Sequence, residues 1–151
     1  MAFKIDYDEL KNFAKSHESL RADYENFLRN FLTQQVNMII AETKKKTPVG
    51  TPESTGIKNY VGGTLRRNWQ IGRIEFLGNR IQARILNETE YATEVEYGHR
   101  IMGGTNHDVE VGWKEGRFML TVSIDLVKAK MPLKYQKEFK EFCVNHGVID
   151  G

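Results

Sequence analysis

The chain has a single cysteine, Cys143, only three prolines, and no marked excess of charge of either sign. One thiol excludes an intramolecular disulfide framework and fits a reducing, cytoplasmic place of synthesis; no basic cluster surrounds it in sequence to activate it as a nucleophile. The 22 basic and 20 acidic residues are interleaved and leave a net charge of +2. A dedicated nucleic-acid binder would need a stronger excess or a concentrated basic face. The longest apolar runs, such as Val36 to Ala41, fall far short of the ~20 residues that span a bilayer. Met1-Ala2-Phe3-Lys4-Ile5-Asp6 has no apolar signal core. Neither a membrane span nor a secretion signal is expected. Nucleophile elbows, phosphate-cradling Gly-x-x-x-x-Gly-Lys loops, dinucleotide fingerprints and internal repeats are also missing.

What remains is a chain of 151 residues, 40% hydrophobic and 28% charged. That is enough for one domain spanning residues 1–151 with a core of its own. Asp6 or Asp8 can cap a short helix from about Tyr7 to Ser16, with Leu10, Phe13, Ala14 and His17 on one face. A stronger 3.6-residue stripe follows: Tyr24, Phe27, Leu28, Phe31, Leu32, Gln35, Met38 and Ile39. A helix carrying it to Lys46 would be ~36 Å long. Lys44-Lys45-Lys46 suits the negative end of its macrodipole, and Pro48 stops it. A lysine run facing nucleic acid is the sharper alternative.

Residues 50–63 lack apolar periodicity and predict an exposed, mobile loop anchored by Tyr60 and Val61. From Leu65 to Phe76 the pattern alternates imperfectly, which predicts a strand covered in part on both faces. Gly78-Asn79 then turns it into a return strand with Ile81, Ala83 and Ile85 inward. Tyr91, Ala92 and Val95 share a helical face before Gly98 ends the turn. Residues 99–116 predict a second loop with a brief strand, Val109 to Trp113. Leu120, Ile124, Val127 and Met131, then Tyr135, Phe139, Phe142 and Cys143, predict a C-terminal helix that Pro132 kinks or splits. Residues 147–151 are expected to fray. The expected fold is α+β: a long N-terminal helix and a C-terminal helix packed on a small twisted antiparallel sheet, with two long loops.

The candidate chemistry is thin. His99, His107 and Asp108, with Glu94 and Glu96 upstream, match no tight zinc spacing. Glu94 and Glu96 diverge on a helix and predict a solvated surface rather than an acid–base pair. Arg66, Arg67, Trp69 and Arg73 could hold phosphates and stack bases, but strand alternation would send Arg66 and Arg67 to opposite faces, and Trp69 suits a core. No catalytic residue, cofactor or metal is expected.

The order of short motifs is more telling than any one of them. Pro48-Val49 ends the long helix, Gly63-Thr64-Leu65-Arg66 enters the sheet, and Tyr91-Ala92 with Val95-Glu96-Tyr97-Gly98 follows the hairpin. From about Thr43 to Leu120 this order resembles the tail-completion, or head-tail joining, proteins of long-tailed bacteriophages and prophages. Many members pass from the Pro-Val turn almost directly to Gly-x-Leu-Arg, whereas here Thr51 to Val61 is inserted. The resemblance implies a non-enzymatic virion protein at the phage neck or tail, made in the bacterial host cytoplasm. It implies a ring, hexameric in the particle, that binds the tail tube protein and head-tail connector proteins while DNA passes through its lumen without sequence specificity. The two long loops then become subunit contacts, involving Thr51, Tyr60, Tyr91, Glu96, Tyr97, Gly98, His99, Arg100 and Trp113. Arg66, Arg67 and Arg73 become candidates for contact with neighbours or lumenal DNA. The alternatives are a small nucleic-acid-binding accessory protein and a ribonuclease-type toxin.

Overall fold

The computed structural model describes residues 7–151, with side chains from residue 15 onward. Asp6, and the side chains of Asp8, Leu10, Phe13 and Ala14, lie outside the described part. In order, the elements are α1 (Tyr7–Lys46), α2 (Pro52–Thr55), α3 (Thr64–Arg67), β1 (Gln70–Leu77), β2 (Arg80–Leu86), α4 (Ala92–Tyr97), β3 (Gly98–Gly103), β4 (Val109–Glu115) and α5 (Met119–Asn145). The fold is α+β, with two long helices and two antiparallel two-stranded sheets, β1-β2 and β3-β4.

The two N-terminal helices expected from sequence are one. Ser16 to Asp23 contains neither proline nor glycine, so nothing breaks the backbone ladder, and Arg21 pairs with Glu25 one turn on, at 3.3 Å. At 40 residues α1 is ~60 Å long rather than ~36 Å. Its buried face is also rotated from the expected stripe: Phe31, Gln35, Val36, Ile39, Ile40, Thr43 and Thr47 are buried, while Met38 is exposed. The Thr43 and Thr47 hydroxyls donate to the Ile39 and Thr43 carbonyls at 2.7 Å each, which lets polar residues sit inside.

The long helices run antiparallel, because Tyr24 of α1 packs on Phe142 of α5 while Phe31 packs on Tyr135. Phe27 lies between, 5.1 Å from the Phe142 ring. The Tyr24 and Tyr135 hydroxyls share a hydrogen bond of 2.8 Å. Burial and this bond push the Tyr135 phenol up to about 12. Pro132 does not split α5, which continues unbroken to Asn145. Pro132 and Leu133 lie on the exposed side, and the aromatic contacts beyond them keep the second half of the helix on α1. Gly147, at φ 66, closes the helix with the Val148 amide donating to the Cys143 carbonyl at 2.8 Å.

The second core cluster sits where α1 meets the first hairpin. Val36, Ile40, Leu65, Trp69, Ala92 and Met119 are buried together, with Ile71, Ala83 and Ile85 packed against them. The segment Leu65 to Trp69 is not strand as expected. Gly63, at φ 95, opens a helical turn in which the Arg67 and Asn68 amides donate to the Gly63 and Thr64 carbonyls. The strand starts only at Gln70. The irregular alternation beyond it has a physical cause: Ile71 faces Ile85 and Ile74 faces Ala83, so two residues, Gly72 and Arg73, oppose the single Arg84. This bulge moves the inward set from odd to even positions without turning the strand over.

Candidate assembly surfaces

The end of α1 is fastened by the segment that follows it. Arg66 donates from Nε and Nη2 to the Thr47 carbonyl at 3.1 and 2.6 Å, placing a cation on an unpaired carbonyl at the helix C-terminus. Trp69 donates from Nε1 to Thr47 Oγ1 at 2.9 Å. Arg67 donates to the Gly62 carbonyl at 3.1 Å. Two of the three terminal lysines, Lys45 and Lys46, pair with Glu42 at 2.6 and 3.2 Å, and hydrogen bonds from them hold its carboxyl below the usual range.

The expected open loop after Pro48 contains a capped helical turn. Thr51 Oγ1 accepts from the Ser54 amide at 3.2 Å, and Ser54 Oγ accepts from the Thr51 amide at 2.8 Å, forming a capping box. Residues 51–59 are exposed. The two sequence-predicted loops meet across one open cleft of about 460 Å³, lined among others by Tyr60, Tyr91, Glu94, His99 and Arg117. Of the predicted contact residues it brings together Tyr60, Tyr91 and His99. His107, at φ 53 in the turn between β3 and β4, is not part of it. Among the described residues no group of three or more His, Cys, Asp or Glu side chains could hold a metal ion.

Glu96 departs most from its expected place. Instead of lying on a solvated surface it is 3% exposed. Its carboxylate accepts from the Leu120 amide at 3.0 Å, and from the Thr121 amide and hydroxyl at 2.9 and 2.8 Å. Helix α5 begins after Phe118, which has no side-chain cap to offer, so Glu96 supplies the acceptor from another element. The tie is reciprocal: the Arg117 and Phe118 amides donate to the Val95 and Glu96 carbonyls at the end of α4, at 2.8 and 3.0 Å. The sequence did carry a signal, since a helix starting at Phe118-Met119 has orphan amides and no local acceptor.

Residues 99–116, expected to be a loop with at most one short strand, form a full hairpin on this corner. Gly98 starts it at φ 89 and ψ 171, a region that only glycine occupies with ease. A Cβ at Gly98 would lie 2.4 Å from the Lys114 carbonyl oxygen, and one at Gly116 would lie 2.3 Å from the Glu96 carbonyl oxygen. Arg100 faces Trp113 and Ile101 faces Gly112, with a bulge beyond. Ile101, Met102, Val109, Val111 (62%) and Trp113 (52%) are exposed. Arg100 pairs with Glu110 at 3.6 Å. At the hairpin's foot Tyr97 meets Phe118 edge to face at 6.4 Å. Phe118, Val122, Leu126 and Leu133 then form an exposed stripe along α5.

Two clasped long helices, a hairpin packed on the first of them and a second hairpin with exposed apolar side chains make up the described chain. The family described as "Bacteriophage HK97-gp10, putative tail-component" matches residues 11–98, more than half of the chain, which therefore belongs to this family of phage tail components. The match begins well before Thr43 and ends at Gly98, so the β3-β4 hairpin and α5 lie beyond it. No curated protein and no solved structure matches the chain. Among the described residues no helix is long and apolar enough to cross a membrane.

Proposed function

We propose that this tail component is a non-enzymatic joining protein acting at the end of the tail tube or the head-tail junction, where copies of it close into a ring. The observation that carries this reading is the projecting β3-β4 hairpin, whose Ile101, Val109, Val111 and Trp113 stand exposed. Exposed apolar side chains gathered on one short element in this way mark a contact site. The stripe Phe118, Val122, Leu126 and Leu133 is a second, differently shaped apolar surface on the same subunit. Two unlike surfaces on one molecule suit a head-to-tail contact, which closes into a ring when the rotation between neighbours divides a full turn. The hexamer, the tube protein and the connector proteins as neighbours follow from the sequence resemblance.

Two experiments test the proposal. Sedimentation of the purified chain should show a closed oligomer, alone or on tail tubes, that is lost when Val109→Asp is combined with Val111→Asp. Particles assembled without the protein should show tails that stay unjoined to heads or grow to irregular lengths. Normal infectious particles in its absence would overturn the reading.

A further inference from the structure

The other hairpin offers a surface of opposite character. Ile71, Ala83 and Ile85 turn its inner face to the core, so its outer face carries Gln70, Arg73, Glu75, Leu77, Arg80, Gln82, Arg84 and Leu86. Three guanidinium groups share that face with one carboxylate. Glu75 lies 3.9 Å from Arg73 and 3.7 Å from Arg84, both loose pairs, and also accepts from Gln82 at 3.1 Å. The Arg73 and Arg84 side chains are 80% and 65% exposed, and Arg80 is exposed too. The bulge at Gly72-Arg73 adds an arginine to this face that regular alternation would have turned inward.

We infer that the outer face of β1-β2 is a contact site for the phosphate backbone of duplex DNA, made by Arg73, Arg80 and Arg84. Guanidinium groups match phosphate oxygens in pairs and remain charged at any working pH. Arg80 and Arg84 stand four strand residues apart, ~13 Å, a span that follows a duplex backbone over several phosphates. The face has no aromatic side chain on which bases could stack, so contact would be indifferent to sequence. This surface is separate from the apolar hairpin, and either assignment can fail without the other.

The test is fluorescence polarisation of the full chain with a labelled 30-base-pair duplex of random sequence, titrated at 50, 100 and 200 mM NaCl. Three phosphate contacts predict about 40-fold weakening from 50 to 200 mM salt. Arg73→Gln, Arg80→Gln and Arg84→Gln together should abolish that dependence and lower affinity at 50 mM by more than tenfold. Lys128→Gln, Lys130→Gln and Lys137→Gln, an equal change of charge on α5, should leave both unchanged. Glu75→Gln, which removes the counter-charge, should tighten binding severalfold and provides a test that needs no loss of function. No binding by the wild type at 50 mM, or an effect of the α5 variant equal to that of the arginine variant, overturns the inference. Displacement by polyglutamate as effective as by unlabelled duplex would also overturn it and assign the face to an acidic protein.

Discussion

The Glu96 carboxylate accepts both the amide and the hydroxyl of Thr121, at 2.9 and 2.8 Å, and so caps a helix to which it does not belong. Hydrogen bonds to a charged acceptor are stronger than neutral ones, and losing a buried acceptor leaves the first amides of α5 without a partner. Glu96→Ala should therefore lower the unfolding free energy by about 2–4 kcal/mol, and Glu96→Gln by about half as much. Urea denaturation followed by circular dichroism measures both. Equal stability of Glu96→Ala and wild type would show that the cap contributes nothing.

Gly98 holds the corner at a backbone conformation closed to other residues, with the Lys114 carbonyl where a Cβ would stand. Gly98→Ala should cost about 3 kcal/mol or more. It should also displace β3 against β4, seen as amide shifts concentrated in residues 98–116. An alanine variant with wild-type stability and spectrum would contradict this account of the corner.

Arg66 supplies the contrast between an arginine bound within the fold and an exposed one. Because its guanidinium closes the end of α1 on the Thr47 carbonyl, Arg66→Ala should destabilise the isolated chain by about 1–3 kcal/mol. Arg73→Ala, on the exposed outer face of β1, should change stability by no more than about 0.5 kcal/mol. Thermal unfolding of the two variants side by side decides the point. The reverse order of stabilities would refute it.

Burial of the Tyr135 phenol, with its bond to Tyr24, predicts a loss of stability in alkali. Tyr135 titrates at about 12 in the folded chain and near 10 when unfolded. A group whose pKa is raised by folding contributes stability that is fully present below its unfolded pKa. As the pH climbs from about 10 to 12 the unfolded chain ionises first, and that contribution disappears. Tyrosinate absorbance near 295 nm should show one phenol titrating late, and Tyr135→Phe should remove that step. A titration curve unaltered by Tyr135→Phe would contradict the assignment.

The sequence made the periodic parts of this fold legible. The 3.6-residue stripes marked both long helices, and the turn at Gly78-Asn79 with Ile81, Ala83 and Ile85 marked the first hairpin and its inward face. Boundaries without breakers were harder. Continuity across Pro132 depends on aromatic contacts with α1, which no local window contains, whereas through Ser16 to Asp23 it needs only the absence of proline and glycine. The turn at Thr64 to Arg67 was masked because its alternation imitates a strand, while Gly63 and the fastening of Arg66 to Thr47 favour a helix. Glu96 looked solvated because its partners lie 24 and 25 positions away. The second hairpin was hidden by its glycines, which resemble loop punctuation until their close backbone contacts are seen.

Both ends of the β3-β4 hairpin leave and re-enter the molecule at one corner, tied through Val95, Glu96, Arg117 and Phe118. Everything between Gly98 and Gly116 is thus a cassette on a fixed socket. Its length and side chains can be rewritten without asking the helices beneath to move, so a lineage can alter this surface while keeping an unchanged chassis.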